Sequence, residues 1–132
     1  MKAVSSLPTK GLQIGSRIKC IDNTGAKEME IISIKGYKGV RKRRARAGVC
    51  DIVRCAVKKG DQKLVHEIVD VVVVRQVLPW RRPSGIRISF SDNAGIIIDD
   101  KLEPKGKEIK GVIAKEVVER FPRVGKIAST IV

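Results

Sequence analysis

The segment Ile68–Val74 is the feature of this sequence that most restricts its fold. Its residues read Ile-Val-Asp-Val-Val-Val-Val, so six of the seven are β-branched. β-branched residues favour strands, and an apolar run that is nearly continuous is typical of a strand covered on both faces. The segment therefore predicts a strand that other parts of the chain must cover from two sides.

Shorter segments in which apolar and polar residues alternate predict further strands. They are residues 17–21, 28–34, 49–57 and 86–90, followed by an apolar triplet at 96–98. Two tetrapeptides of the form Asp-Asn-x-Gly, at 22–25 and 92–95, predict turns, because Asn and Gly tolerate positive φ and the Asp side chain accepts hydrogen bonds from nearby amides. The first two-thirds of the chain is therefore predicted to be β structure.

The last part of the chain predicts a short helix that ends at Pro122. Three apolar residues share one helical face at i, i+4 and i+8: Ile113, Val117 and Phe121. Two pairs of opposite charge have the supporting i, i+4 spacing: Lys115–Glu119 and Glu116–Arg120. We expect the apolar face of this helix to pack against the strands.

Together these segments predict a mainly β protein with one domain over residues 1–132. Residues 15–100 would form a small closed barrel, which leaves no open strand edges, and residues 103–132 a C-terminal helical segment. The pattern of strands and turns is compatible with an OB-like barrel and with an SH3-like barrel, and it does not choose between them.

A tract of positive charge interrupts the predicted strands. Seven of the twelve residues from 35 to 46 are basic, and no Asp or Glu occurs between Ile31 and Cys50. These residues are Lys35, Lys38, Arg41, Lys42, Arg43, Arg44 and Arg46. The tract contributes half of the formal net charge of +14. Like charges at this density repel one another unless a polyanion offsets them, so we expect a projecting loop over residues 35–48 that binds nucleic acid.

A second basic cluster supports the same interpretation and consists of Arg81, Arg82 and Arg87. The guanidinium group presents a planar fork of donors that matches phosphate oxygens. The chain has only four aromatic residues, so contact with the phosphate backbone is a better expectation than base stacking. For Trp80, packing or protein contact is favoured over stacking on a base. No amphipathic helix carries the charge, which disfavours a membrane surface.

Catalytic, metal and disulfide sites find little support in the sequence. The three cysteines, Cys20, Cys50 and Cys55, form no Cys-x-x-Cys pair, and His66 is the only histidine. We expect the cysteines to be free thiols that act as small apolar residues in strands, which suits a cytoplasmic protein. No Ser or Cys nucleophile has a suitable partner, so we expect neither an enzyme nor a bound cofactor.

Six short segments, in order, resemble the universal large-subunit ribosomal protein L-fourteen family. They are Cys20–Lys27, Ala47–Val53, the Val-Val-Val-Arg sequence ending at Arg75, Arg81–Gly85, Phe90–Gly95 and Gly111–Glu116. The stretch from Tyr37 to Arg46 is more similar to the archaeal and eukaryotic branch than to the bacterial one. The sequence departs from the family pattern at Cys50, where Gly is usual, and at Val112, where Pro is usual.

The resemblance implies a five-stranded OB-like barrel with a C-terminal segment of short helices, held on large-subunit rRNA near the face that meets the small subunit. It implies a ribosome-bound location, contacts with large-subunit proteins three and twenty-four, bridges to small-subunit rRNA, and binding of anti-association initiation factor six. By position, the two basic clusters would contact rRNA. Residues 110–132 would be a protein-docking surface, with Lys110, Lys115, Glu119, Arg123 and Lys126 as its candidate residues. The alternative is a free-standing OB-type RNA-binding module outside the ribosome.

Overall fold

A computed structural model describes residues 1–132. It contains eleven strands and two short helices. In chain order they are β1 (Leu12–Gln13), β2 (Arg17–Cys20), β3 (Ala26–Ile34), β4 (Arg46–Ala47), β5 (Ile52–Gly60), β6 (Ile68–Arg75), β7 (Trp80–Arg81), β8 (Arg87–Ile88), β9 (Ala94–Ile98), β10 (Ile109–Ile113), α1 (Lys115–Arg120), α2 (Pro122–Ile127) and β11 (Ala128–Ile131).

Five of these strands close into a barrel in the order β2-β3-β5-β6-β9. Barrel strands that follow one another in the chain pair antiparallel. Because the number of strands is odd, the pair that closes the barrel, β2 and β9, runs parallel. The prediction of a small five-stranded barrel followed by short helices is confirmed. The strands succeed one another around the barrel in chain order, a meander that differs from the Greek-key connectivity of the OB fold.

Strand β6 separates two hydrophobic cores, as the run of β-branched residues predicted. Val71 and Val73 lie in the barrel interior with apolar side chains from all four other barrel strands. Val72 and Val74 point the opposite way, into a second core with Trp80 and the C-terminal segment. All four valines are fully buried. The outer wall of the barrel at β6 is therefore covered by the last quarter of the chain.

The predicted helix begins later than its apolar pattern indicated. Ile113 lies in β10, which pairs in parallel with β11, and the helix α1 starts only at Lys115. The Lys110 amide donates to the Ile21 carbonyl and the Ala114 amide to that of Val74, so this stretch is held extended against the barrel. The prediction that Ile113 is helical is therefore wrong, although Ile113, Val117 and Phe121 all pack in the second core as expected.

The expected ion pair between Glu116 and Arg120 does not form. Glu116 is buried, and its carboxylate accepts hydrogen bonds from Arg82 Nε (2.8 Å), Trp80 Nε1 (3.2 Å) and Ser6 Oγ (3.1 Å). Burial by itself would raise the pKa of Glu116, but the hydrogen bonds from Arg82 and Trp80 and the positive charge of Arg82 hold the pKa below its usual value. The other predicted pair, Lys115 with Glu119, is present at 3.9 Å.

The first Asp-Asn-x-Gly turn also ties two strands together. Asp22 Oδ1 accepts a hydrogen bond from the Thr24 amide (3.2 Å), as the turn chemistry predicted. Its other oxygen, Oδ2, accepts from the Ile97 amide in β9 (2.9 Å). One buried carboxylate therefore shapes the turn after β2 and fixes it to the strand that closes the barrel.

The cysteines are free thiols, two of them in strands as predicted. Cys20 and Cys55 lie in β2 and β5, whereas Cys50 precedes β5 with φ of 74°. Burial raises the pKa of all three thiols to about 12, so they stay protonated near neutral pH. The model contains no helix long and apolar enough to cross a membrane.

We predict that Glu116→Gln lowers the free energy of unfolding by about 2–3 kcal/mol at pH 7, because Arg82 loses its charged partner in a mostly buried site. A carboxylate with a depressed folded pKa stabilises the protein above its unfolded pKa, and this contribution disappears as the pH falls through the folded pKa. Urea denaturation at pH 7 and near pH 3 measures both effects.

The difference between wild type and Glu116→Gln should therefore shrink at the lower pH. Glu67→Gln is the matched control, because Glu67 is exposed and makes no side-chain hydrogen bond or ion pair. Equal destabilisation by both substitutions at pH 7 would contradict the role given to Glu116.

Candidate nucleic-acid interface

The basic tract forms the connection between β3 and β5, where the sequence predicted a projecting loop. The Lys35 amide donates to the Ile52 carbonyl at 3.0 Å, so the loop leaves and rejoins the barrel at adjacent positions. At its far end, Ala45 and Ala47 are buried, and the short strand β4 pairs with β1. The two ends of the loop are fixed, while residues 35–44 and 46 are exposed.

Positive φ angles turn the loop back on itself. Gly36 and Gly39 have φ of 82° and 78°, and Lys42, a non-glycine residue, has φ of 63°. The Arg43 amide closes a turn onto the Val40 carbonyl at 3.0 Å. A lysine in the left-handed region is unusual, because this backbone conformation is sterically easy mainly for glycine.

Six of the seven basic side chains in the tract make no ion pair or hydrogen bond within the protein; they are Lys38, Arg41, Lys42, Arg43, Arg44 and Arg46. The exception is Lys35, whose Nζ lies 2.7 Å from Asp70 Oδ2, while Arg54 contacts the other oxygen of the same carboxylate. Burial would raise the pKa of Asp70, but its bonds to Lys35 and Arg54 lower it. Lys35 thus anchors the base of the loop, and the other six cations are free to bind an external anion.

In contrast to the loop, the barrel wall formed by β2, β3 and β5 carries basic residues that have acidic partners. Arg17 and Lys59 contact Glu28, at 2.9 Å and 3.4 Å. Arg17 and Lys58 both lie 3.8 Å from Glu30. Three basic residues of this wall, Arg17, Lys58 and Lys59, are therefore paired with acidic residues on a neighbouring strand, although Lys27 in β3 is not. The loop, by contrast, carries six unpaired cations within residues 38–46.

The structure divides the second basic cluster into two kinds of residue. Arg81 and Arg87 are exposed and lie directly opposite each other in the β7–β8 pair. Like charges in directly opposed positions repel, and an anion held between them would relieve this repulsion. Arg82 points elsewhere: it donates to Glu116 and, at 2.7 Å, to the carbonyl of Val132. Its guanidinium joins the β7–β8 hairpin to the C-terminal segment.

The loop also encloses a hollow that the sequence did not predict. Its volume is about 740 Å³, and its lining consists of Lys10, Tyr37, Lys42, Arg43, Arg44 and Arg46. Lys10 comes from the N-terminal segment and pairs with Asp51 at the start of β5. No local pattern could place Lys10 beside the loop. Tyr37 lies inside the basic tract, but the pattern of charges does not indicate that its ring lines the hollow.

The candidate docking residues are distributed around the C-terminal segment. Lys110 and Lys126 are exposed and make no ion pair. Lys115 and Glu119 pair with each other, and Glu119 also accepts hydrogen bonds from Ser5. Arg123 pairs with Glu103. The structure therefore brings these five residues to one part of the molecule but leaves only two of them without a partner.

The structure brings no metal-ligating cluster together. It contains no group of three or more His, Cys, Asp or Glu side chains that could hold a metal ion. His66 is exposed in the turn after β5, with φ of 70°, and makes no side-chain hydrogen bond. The exposed cations of the two basic clusters are thus the main chemical feature of the surface, and they are suited to binding phosphate.

Comparison with known proteins identifies the family of the chain. Residues 11–132 match the family model described as "Ribosomal protein L14p/L23e". The sequence is 47% identical over 132 residues to "Large ribosomal subunit protein uL14" of Methanoregula boonei and 48% identical to the protein of that name from Halorubrum lacusprofundi; both alignments cover the whole of each chain. The chain therefore belongs to the L14p/L23e family of ribosomal proteins.

Proposed function

We propose that this protein is a structural constituent of the large ribosomal subunit that binds large-subunit rRNA directly through its basic loop and through Arg81 and Arg87. The observation that carries the proposal is the difference in pairing: Arg17, Lys58 and Lys59 on the barrel wall have acidic partners, whereas six cations of the loop have none. Its relatives are ribosomal proteins of the large subunit, and the protein is accordingly not an enzyme.

Phosphate is the anion that best fits these side chains. Arg41, Arg43, Arg44 and Arg46 present planar donor forks, which match phosphate oxygens with two parallel hydrogen bonds. The fixed ends of the loop hold the forks at one end of the barrel, so that they act on one stretch of RNA rather than on scattered sites. Arg82 and Lys35 contribute indirectly, because their pairs with Glu116 and Asp70 hold the two basic segments in place.

The remaining part of the proposal concerns protein partners. The family resemblance supports a location near the face that meets the small subunit, bridges to small-subunit rRNA, and contacts with large-subunit proteins three and twenty-four and with initiation factor six. We assign the contacts with protein partners to residues 110–132. Lys110 and Lys126 are the residues of this segment whose charges are exposed and unpaired.

We expect the protein, tagged and expressed in an archaeal host, to co-sediment with large subunits at moderate salt and to leave them in high-salt washes, because phosphate contacts weaken as salt rises. Sucrose-gradient fractions probed for the tag provide the measurement. A protein found only in RNA-poor fractions would rule out the proposal. Tight binding to unstructured oligonucleotides in those fractions would instead identify a free-standing RNA-binding module.

We predict that the double substitution Arg43→Ala, Arg44→Ala lowers the salt slope of rRNA binding, d log K/d log[salt], by about 2 in magnitude, because two phosphate contacts are lost. The stability of the free protein should change little, since both side chains are exposed and unpaired. Filter binding at several salt concentrations measures the slope.

The double substitution Lys58→Ala, Lys59→Ala is the control for net charge. It removes the same two charges from the barrel wall, where both lysines pair with glutamates. We expect it to leave the salt slope nearly unchanged. If the two double variants reduced the slope equally, only the total charge would matter, and the loop would not be the phosphate-binding site.

We expect Lys110 and Lys126 to cross-link to neighbouring proteins in large subunits treated with a lysine-reactive reagent and analysed by mass spectrometry. Lys58 and Lys59 provide the comparison, because they lie on the barrel wall away from residues 110–132 and are paired with glutamates. Cross-links from the barrel-wall lysines alone would remove the C-terminal segment as the docking surface.

A further inference from the structure

Tyr37 is the exposed member of the four aromatic residues. Its exposed fraction is 39%, against 1% for Trp80 and 3% for Phe121. Phe90 is half-buried and stacks on Trp80, with 5.9 Å between the ring centroids. The other three rings therefore serve the second core. The Tyr37 ring belongs to neither core, and its phenol oxygen makes no hydrogen bond within the protein.

The position of this ring is unusual for an exposed aromatic side chain. It lines the hollow together with Lys42, Arg43, Arg44 and Arg46, all unpaired cations. The volume of about 740 Å³ lies within the range of about 300–1,000 Å³ that is typical of sites for small organic groups. The hollow therefore combines a flat apolar surface with several phosphate-binding groups at its rim.

This combination matches the chemistry of a single unpaired nucleotide. Proteins hold splayed-out bases by stacking them on aromatic rings, while cations on either side bind the flanking phosphates. A double-stranded segment would present only phosphates to the loop and would leave the ring without a partner. We propose that the hollow is a subsite for one unpaired nucleotide of the rRNA, with its base stacked on Tyr37 and its flanking phosphates held by Arg43, Arg44 and Arg46.

The subsite rests on the proposed function, since the nucleotide belongs to the rRNA that the loop binds. It adds base contact to a loop whose composition indicated phosphate contact alone. The backbone places Tyr37 three residues beyond the end of β3, where its amide donates to the Ile34 carbonyl at 3.4 Å. The ring is thus attached close to the barrel rather than at the tip of the loop.

The first test compares Tyr37→Leu and Tyr37→Phe in binding to protein-free large-subunit rRNA from Methanoregula boonei. Removal of the ring should weaken binding by about 5- to 100-fold, the range expected when one stacked base is lost. The salt slope should stay as in wild type, because no cation is removed. Tyr37→Phe keeps the stacking surface and should bind within about 2-fold of wild type. Thermal unfolding of both variants checks that the fold is intact.

The second test is direct ultraviolet cross-linking of the wild-type complex, followed by mass spectrometry of nucleotide-linked peptides. A cross-link from Tyr37 to a single nucleotide is the expected result. Equal weakening by Tyr37→Leu and Tyr37→Phe would overturn stacking in favour of a hydrogen bond from the phenol. Unchanged affinity of Tyr37→Leu, with no cross-link at Tyr37, would overturn the subsite and leave the hollow for an acidic protein segment.

These outcomes separate the subsite from the proposed function. If the wild-type protein bound no rRNA, the proposed function would fail. If wild-type binding were intact and Arg43→Ala, Arg44→Ala still reduced the salt slope while Tyr37→Leu had no effect, the proposed function would stand and the nucleotide subsite alone would fail.

Discussion

The burial of β6 on both faces is the constraint on which the rest of this structure depends. Alternate valines enter the barrel interior and the second core, so the barrel is complete only when the C-terminal segment covers its outer wall. The covering segment is fastened by Glu116, which accepts hydrogen bonds from Ser6 in the N-terminal segment and from Trp80 and Arg82 at the β7–β8 hairpin. Because β6 and the C-terminal segment occupy one side, the wall of β2, β3 and β5 and the loop after β3 remain for solvent or for a partner.

The basic residues on the barrel wall and those on the loop also differ in whether they have acidic partners. A net charge of +14 says that the protein prefers a polyanion, but it does not say where contact occurs. On the barrel wall, strand pairing places Glu28 and Glu30 beside Arg17, Lys58 and Lys59. Residues 36–45 of the loop belong to no strand, and no Asp or Glu occurs between Ile31 and Cys50, so six cations of the loop remain unpaired. Secondary structure thus decides which basic residues are available for RNA, and a count of charges alone does not.

Much of the fold followed from local patterns, and the errors arose where long-range contacts decided the outcome. The valine run, the Asp-Asn-x-Gly turns and the basic loop were all recognisable, because each depends on residues close in sequence. The spacing of Ile113 and Val117 predicts a helix, but parallel pairing with β11 holds Ile113 in an extended conformation. Glu116 has a suitable helical neighbour in Arg120, yet it accepts a hydrogen bond from Arg82, 34 residues away. Lys10 lines the hollow although it lies outside the basic tract.

A loop of this kind is unfavourable in the free protein, and the fold must tolerate it. Six unpaired cations lie close together, Lys42 adopts a left-handed conformation, and Arg81 faces Arg87 across a two-stranded pair. Each of these features lowers stability in the absence of an anion. They occur outside both hydrophobic cores, at positions whose substitution would not open the barrel. Local strain that the fold does not require is typical of functional sites, so these features support the proposal that RNA completes this surface, while the two cores supply the stability that the loop lacks.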